Sequence, residues 1–366
     1  MPRPTTAIID LSSIAHNFNV IKKHCPKSQI YSVVKSNAYG HGVKKVVGAL
    51  KKSDGFCVAT IEEADEFREF SKKPLLCLQG FYDRQDLKLA HSHKLELVIH
   101  NEEQIGHLEK LNLTFPSLWL KFDTGMNRLG FMQNEIENMM HRLKPFSKKI
   151  VLMTHLKSSS GKKMSRKVTN KQFNLFTKTT LDLKKKQHNF LTSVSNSGGI
   201  LNFDDLFSDI ERPGLSLYGS HFHNKSKNFR LKNVTTLVSK IIAIKDIKKG
   251  ETVGYDGLWQ AKKNTSIGII PIGYSDGIPL NYGNRGYVLI NKAKAQVIGR
   301  VAMDLIAVEL PNKKVKLGED IILWGKDLKV DELASLTDNI PYSFMTSLSK
   351  RVKRNILNNY ENKSIR

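Results

Sequence analysis

Two rhythms of apolar residues divide the chain. From Asp10 onward, short apolar runs alternate with segments whose apolar residues recur every three or four positions. That pattern marks strands covered on both faces, interleaved with amphipathic helices. Leu11, Ile14, Phe18 and Ile21 share one helical face, behind Asp10, Ser12 and Ser13 as candidate N-caps. Residues 30–34 predict the first strand of this series, and a helix follows near 43–50. A second strand is expected at 56–59. Thr60-Ile61-Glu62-Glu63 then forms a capping box, opening a helix with Ile61, Ala64, Phe67 and Phe70 inward. Further strands are predicted at 74–78, 95–99, 118–123, 150–155, 191–194 and 209–212. One intervening helix is capped at Asn101, and a long lysine-rich helix covers 170–186. Eight strand–helix units in about 220 residues predict a parallel (β/α)8 barrel, a fold of about 250 residues.

The second rhythm begins after a polar stretch, residues 221–228, read as a linker. Apolar runs at 234–244, 265–270, 286–290, 295–298, 305–310 and 320–323 are separated by glycines and by Asn-Lys or Asp-Lys turns. Short helices are expected only near 330–336 and 342–348. The predicted fold is therefore an α/β TIM-type barrel over residues 8–225, followed by a smaller, mainly-β domain over 226–366. Residues 1–7 are candidates to pack with the second domain.

Barrel enzymes keep their chemistry at the C-terminal ends of the strands. Those tips carry Lys35, then Lys121 and Asp123, His155, Asn196 and Ser197, and Arg212. Alternation along the fifth strand turns Leu118, Leu120 and Phe122 toward the helices, and Trp119, Lys121 and Asp123 into the barrel. A lysine there needs a partner or a change of charge. Ser195-Asn196-Ser197-Gly198-Gly199 after the seventh strand and Arg212-Pro213-Gly214-Leu215-Ser216 after the eighth offer hydroxyls and backbone N–H groups where barrels bind phosphate. In the second domain, Tyr255 lies in a glycine-flanked turn and Met303 in a loop. By themselves they read as a turn aromatic and a core filler.

Composition narrows the class. No run approaches the ~20 apolar residues of a membrane span, and the first residues lack a signal peptide's apolar core. The three cysteines, Cys25, Cys57 and Cys77, lack CxxC spacing, so neither a disulfide framework nor a metal site is expected. A cytoplasmic protein is expected. The net charge of +24 is spread along the chain without a nucleic-acid-binding motif. It reads as a lysine-rich solvated surface, with no specific nucleic-acid partner and no membrane partner.

Eight stretches in order carry a family resemblance: Val33–Gly42 (VVKSNAYGHG), Lys121–Gly130 (KFDTGMNRLG), Met153–His155 (MTH), Ser195–Ser197 (SNS), Arg212–Gly219 (RPGLSLYG), Val253–Gly257 (VGYDG), Pro271–Gly277 (PIGYSDG) and Gly299–Asp304 (GRVAMD). Together they resemble the alanine racemases. These are barrel enzymes with a C-terminal β-domain that use pyridoxal 5'-phosphate (PLP) and work as homodimers with shared active sites. The resemblance implies that Lys35 holds PLP as a Schiff base. Tyr39, Ser197, Gly214, Leu215 and Tyr274 would surround its phosphate. His155, Asn196 and Arg212 would contact the cofactor, Arg212 at the ring nitrogen. Arg128 would orient the substrate carboxylate, and Lys121 would be N-carboxylated in some members. Tyr255, Met303 and Asp304 would reach the neighbouring subunit's barrel. Lys35 and Tyr255 would then be two opposed bases, Lys35 for D-alanine and Tyr255 for L-alanine, in an enzyme supplying D-alanine for peptidoglycan.

Three departures stand out. Ala302 replaces a cysteine common among relatives, and no acidic residue follows closely after His155. Lys350 falls where some relatives place a phosphate-binding tyrosine. Two alternatives stay open: a racemase of broader amino-acid specificity on the same fold, and a non-catalytic PLP-carrier barrel. The latter has no use for a β-domain bearing Tyr255.

Overall fold

The computed structural model describes residues 3–160, 162–220 and 229–357. The predicted linker at 221–228 lies outside the described residues. The chain opens with β1 (Thr6–Asp10), whose Ala7 and Ile9 are buried while its alternate residues are half-exposed. A helix follows at once (Leu11–His24), with the Asp10 carboxylate accepting from the N–H groups of Ser12 and Ser13.

Eight short strands then form the parallel barrel: β2 (Gln29–Val33), β3 (Gly55–Val58), β4 (Leu75–Cys77), β5 (Glu96–Ile99), β6 (Leu118–Lys121), β7 (Ile150–Met153), β8 (Leu191–Ser193) and β9 (Ile210–Glu211). Each of β2 to β7 pairs with the next, and β9 returns to β2 through Gln29↔Ile210 and Ile30↔Glu211. The ladder is interrupted between β8 and β9. There the hydroxyl of Ser193 donates to the Ile210 carbonyl, and the N–H and hydroxyl of Thr192 both donate to Asp209. Inside the barrel Glu96 is buried and accepts from Tyr31 Oη at 3.1 Å and Trp119 Nε1 at 2.8 Å. Burial pushes its carboxyl above the ordinary value.

The second unit is a nine-stranded sheet with β11 (Ala243–Ile247), β14 (Thr265–Ile270), β17 (Ile306–Glu309), β16 (Ala293–Ile298), β15 (Tyr287–Ile290), β18 (Asp320–Trp324), β10 (Thr235–Lys240), β1 and β19 (Lys353–Leu357) in that order. A separate hairpin pairs β12 (Thr252–Val253) with β13 (Trp259–Gln260). The single run expected at 234–244 is two strands, because the chain breaks at Ile241–Ile242 to change neighbours. β19 was not expected from sequence. Its Lys-Arg-Asn composition hides a strand held parallel to β1 by backbone pairing. The lysine-rich helix starts at Lys163, earlier than its apolar periodicity suggested, where the Ser165 hydroxyl donates to the Ser158 carbonyl. Among the described residues no helix is long and apolar enough to cross a membrane.

Candidate active site

A cavity of about 540 Å³ opens at the C-terminal end of the barrel strands. It gathers Lys35, Tyr39, Lys121, Arg128, His155, Asn196, Ser197, Arg212, Gly214 and Leu215 from widely separated parts of the chain.

Lys35 follows the buried strand β2 and enters an unusual turn. Ser36, Asn37, Ala38 and Tyr39 all have φ between 52° and 53°, a left-handed helical turn made without glycine. Each such residue costs about 1–2 kcal/mol, so the surroundings must over-determine the conformation. They do so through hydrogen bonds. The Glu63 carboxylate accepts from Ser36 N–H and Ala59 N–H, both at 2.7 Å. Asn37 Oδ1 accepts from Val43 N–H at 2.8 Å. His41 Nδ1 lies 2.9 Å from the carbonyl oxygens of both Ala38 and Tyr39. Gly40 closes the turn against the Met345 carbonyl, where a Cβ would come within 2.4 Å.

Cations dominate the cavity. Lys121 is buried, and desolvation followed by the charges of Arg212 and Arg128 drives its amine far below the ordinary range. Burial, with Arg128 nearby, also lowers Lys35. The same two causes, desolvation and the surrounding cations, hold His155 neutral. Arg212 is pinned from beneath, donating to the Ser193 hydroxyl and to the carbonyls of Thr154 at 2.6 Å and Val194 at 3.4 Å. These bonds use both terminal nitrogens. Its Nε makes no hydrogen bond among the described residues. Asp123, expected inside the barrel, instead accepts from the N–H groups of Gly125, Met126 and Asn127, and so shapes the loop that brings Arg128 to the rim.

At the far side, the N–H groups of Gly214 and Ser216 converge on Ser197 Oγ at 2.9 and 3.1 Å. Asn196 caps the following turn, accepting from Gly199 N–H at 3.0 Å. Tyr39 is buried between Tyr218 and Tyr342, with ring centroids at 4.7 and 5.6 Å. A side chain at Gly214 would strike Tyr39 Oη at 2.5 Å. Tyr342 is the residue that sequence reading missed, because its register within the closing helix could not be fixed without the fold. Lys350 does not line this cavity. It lies in a separate groove with Ser36, Asn37 and Arg354, while Tyr342 lines the cavity.

Four expected site residues are absent from the cavity of their own chain. Tyr255 is 66% exposed, Tyr274 43% and Met303 52%. Asp304 is held by Arg351 at 2.6 Å. Tyr274, expected beside the phosphate, belongs structurally with this second group, since its N–H donates to the Ala302 carbonyl and Ser275 N–H to that of Met303. The Tyr255 turn is fastened to the same loop through Asp256 and Arg300 at 2.8 Å.

The cavity suits PLP by its donors. The N–H groups of Gly214 and Ser216 and the Ser197 hydroxyl, here bonded to one another, are the donor types a phosphate recruits, an arginine N–H is left for a ring nitrogen, and a half-buried lysine lines the same cavity. Residues 9–221 match the family model of the alanine racemase N-terminal domain, and residues 234–356 that of its C-terminal domain. Alanine racemase of Mannheimia succiniciproducens is 38% identical over 357 residues, covering 96% of this chain and 98% of the relative. Alanine racemase from Acinetobacter baumannii superposes with a TM-score of 0.87 at 35% identity, over 97% of this chain and all of that one. The biosynthetic alanine racemase from Pseudomonas aeruginosa reaches 0.91 at 33%, with the same coverage. The Bartonella henselae enzyme, solved with covalently bound pyridoxal phosphate, reaches 0.88 at 28%, also with 97% of this chain and 100% of that one covered. The chain belongs to the alanine racemase family of PLP-dependent isomerases.

Proposed function

We propose that this protein interconverts L- and D-alanine by a two-base proton transfer, with active sites shared across a homodimer. The observation that carries this reading is a division of parts. Lys35 lies in the cavity with the anchoring groups, while Tyr255, Met303 and Tyr274 stand exposed on one face of the β-rich unit. A second copy can supply what each cavity lacks, and an exposed face with aromatic and apolar side chains is the expected sign of an assembly surface. We read the division between the two units as falling near residue 225, with β1 contributed to the second.

Lys35 would hold the cofactor covalently, Arg212 Nε would donate to its ring nitrogen, and Ser197, Gly214, Leu215, Tyr39 and Tyr342 would enclose its phosphate. When bound, PLP supplies the conjugated system that makes the alanine Cα–H acidic. Racemisation then needs a base on each face. Lys35 would move the proton on the D-alanine face, helped by the burial that lowers its proton affinity. Tyr255 of the partner subunit would serve the L-alanine face. Met303 and Asp304 would close the substrate end from that subunit, with Arg128 at the rim for the substrate carboxylate. His155, held neutral, and Asn196 would line the cofactor. A neutral Lys121 amine can add to CO2 and release a proton, giving a carbamate anion beside Arg128 and Arg212. On that reading Lys121→Glu retains more activity than Lys121→Met, and equal losses would count against it. The likeness to the Pseudomonas aeruginosa biosynthetic enzyme supports a role in supplying D-alanine for peptidoglycan.

Borohydride treatment of the PLP-loaded protein should fix the cofactor to the peptide containing Lys35. Tyr255→Phe should keep the cofactor but lose solvent exchange of the L-alanine Cα proton. Mixing Lys35→Ala with Tyr255→Ala should recover activity through hybrid dimers with one intact site, and no recovery after verified exchange would overturn the shared site. Racemisation rates across a panel of amino acids decide between alanine and a broader substrate range.

A further inference from the structure

On the outer wall of the barrel, Glu137 and His141 lie one turn apart on the helix Ile136–Leu143, so both face the same way. His188 follows the end of the helix Lys163–Lys185 and precedes β8, at the end of the barrel opposite the cavity mouth. One carboxylate oxygen and one nitrogen from each imidazole lie within 4.8 Å of one another. Glu137 Oε1 is 3.6 Å from His188 Nε2, and the two imidazole rings meet edge to face with centroids 4.7 Å apart. The other carboxylate oxygen, Oε2, accepts from Lys186 Nζ at 2.6 Å. Ring packing and this ion pair explain why the helices meet, but not why two imidazoles and a carboxylate turn their donor atoms to one point.

We propose that Glu137, His141 and His188 bind a first-row transition-metal ion, Zn²⁺ in the first instance. Two imidazole nitrogens and one carboxylate oxygen, with a fourth position left to water, suit Zn²⁺, Cu²⁺ or Ni²⁺. Ca²⁺ and Mg²⁺ prefer all-oxygen shells. Tetrahedral bonds of about 2.0–2.1 Å place ligand atoms roughly 3.4 Å apart, so the side chains close by little more than 1 Å. The backbone is already placed for this. Glu137 and His141 share a helix, and His188 N–H is tied to the Leu183 carbonyl at 3.2 Å beyond a left-handed Gln187. Lys186 remains on Oε2 and leaves Oε1 for the metal. The ion staples the helix after β6 to the segment leading into β8, far from the catalytic cavity, and stabilises the fold by mass action as its free concentration rises above the Kd. The spacing hides this site from sequence, because the third ligand comes from the segment after a different helix.

The test uses the PLP-loaded enzyme stripped with a chelator, then titrated with Zn²⁺ and separately with Co²⁺. Wild type should retain one Zn²⁺ per chain through gel filtration, melt at a higher temperature with Zn²⁺, and give the visible bands of four-coordinate Co²⁺. His141→Ala and His188→Ala should each weaken binding at least about tenfold and abolish the thermal shift, with racemase activity unchanged. A wild-type protein that retains no metal, or variants that bind as it does, would overturn the proposal.

Discussion

His41 Nε2 lies 2.6 Å from Thr235 Oγ1, and this bond ties the turn after Lys35 to the first strand that follows the barrel. The other ring nitrogen faces two carbonyl oxygens, so it carries the proton and donates, while Nε2 accepts from the Thr235 hydroxyl. His41 is buried and stacked on Tyr218 at 4.7 Å. Residues 194 positions apart in sequence therefore hold one strained turn in place.

Burial lowers the His41 pKa to about 4, below the 6.5 of a free imidazole. The folded state thus resists a proton that the unfolded chain accepts. Stability from this group is complete above pH 6.5 and is lost as pH falls toward 4, by up to about 3 kcal/mol. His41→Phe should flatten the stability–pH curve over that window and cost about 2–4 kcal/mol at neutral pH through the lost hydrogen bonds. Urea unfolding from pH 4 to 8 checks both, and an identical slope in the variant would refute the assignment.

Glu63 reaches the same turn from the opposite side. Replacing it with leucine orphans the N–H groups of Ser36 and Ala59 and should release the left-handed turn, at about 1–3 kcal/mol per bond. The expected result is weaker PLP retention and lower kcat, with modest change in melting temperature. Unchanged cofactor affinity would show that the turn holds itself.

Gly273 permits the Tyr274 and Met303 loops to touch. A Cβ there would fall 2.3 Å from the carbonyl oxygens of Ala302 and Met303, both backbone atoms. The neighbouring Asp276, fully buried, holds the assembly with Arg3 at 2.5 Å, Arg351 at 3.5 Å and the Gly273 N–H at 2.9 Å. Gly273→Ala should leave the barrel folded and cofactor-competent while displacing the exposed group proposed above to meet a second copy. Activity should fall roughly a hundredfold if the displacement nears 1 Å, and association should weaken by sedimentation. Arg351→Met, which frees Asp304 without a clash, should give a milder loss of the same kind.

Glu211 is a buried carboxylate on β9, next to Arg212 in the chain. Ser208 donates to its Oε1 from both N–H and hydroxyl, while Oε2 has no partner among the described residues. Burial raises its pKa to about 7 from 4.5. The folded state therefore binds a proton that the unfolded chain releases, and stability falls as pH rises from 4.5 to 7. Glu211→Gln should remove that loss, stabilising the protein at pH 8 by up to about 3 kcal/mol and little at pH 4. Thermal melts at the two pH values test it, and equal shifts would refute it.

What could be read from the sequence was local. Apolar periods marked the barrel strands and most of the sheet, because burial on one face or two leaves its imprint at spacings of two and about 3.6 residues. Motifs pointed to Lys35, Arg212 and Ser197, which line one cavity, because glycines, hydroxyls and a lone lysine at strand ends state their chemistry within a few positions. The sequence did not disclose the left-handed turn, since Ser, Ala and Tyr have no intrinsic liking for it and only Glu63, Asn37 and His41 enforce it. Nor did it disclose β19, whose polar strand exists by pairing with β1, or the register that seats Tyr342 rather than Lys350 against Tyr39. The separation of Tyr255, Tyr274 and Met303 from their own cavity is likewise a tertiary fact. Side chains adjacent in chemistry are parted or joined by how two units pack, and that depends on contacts between residues hundreds of positions apart.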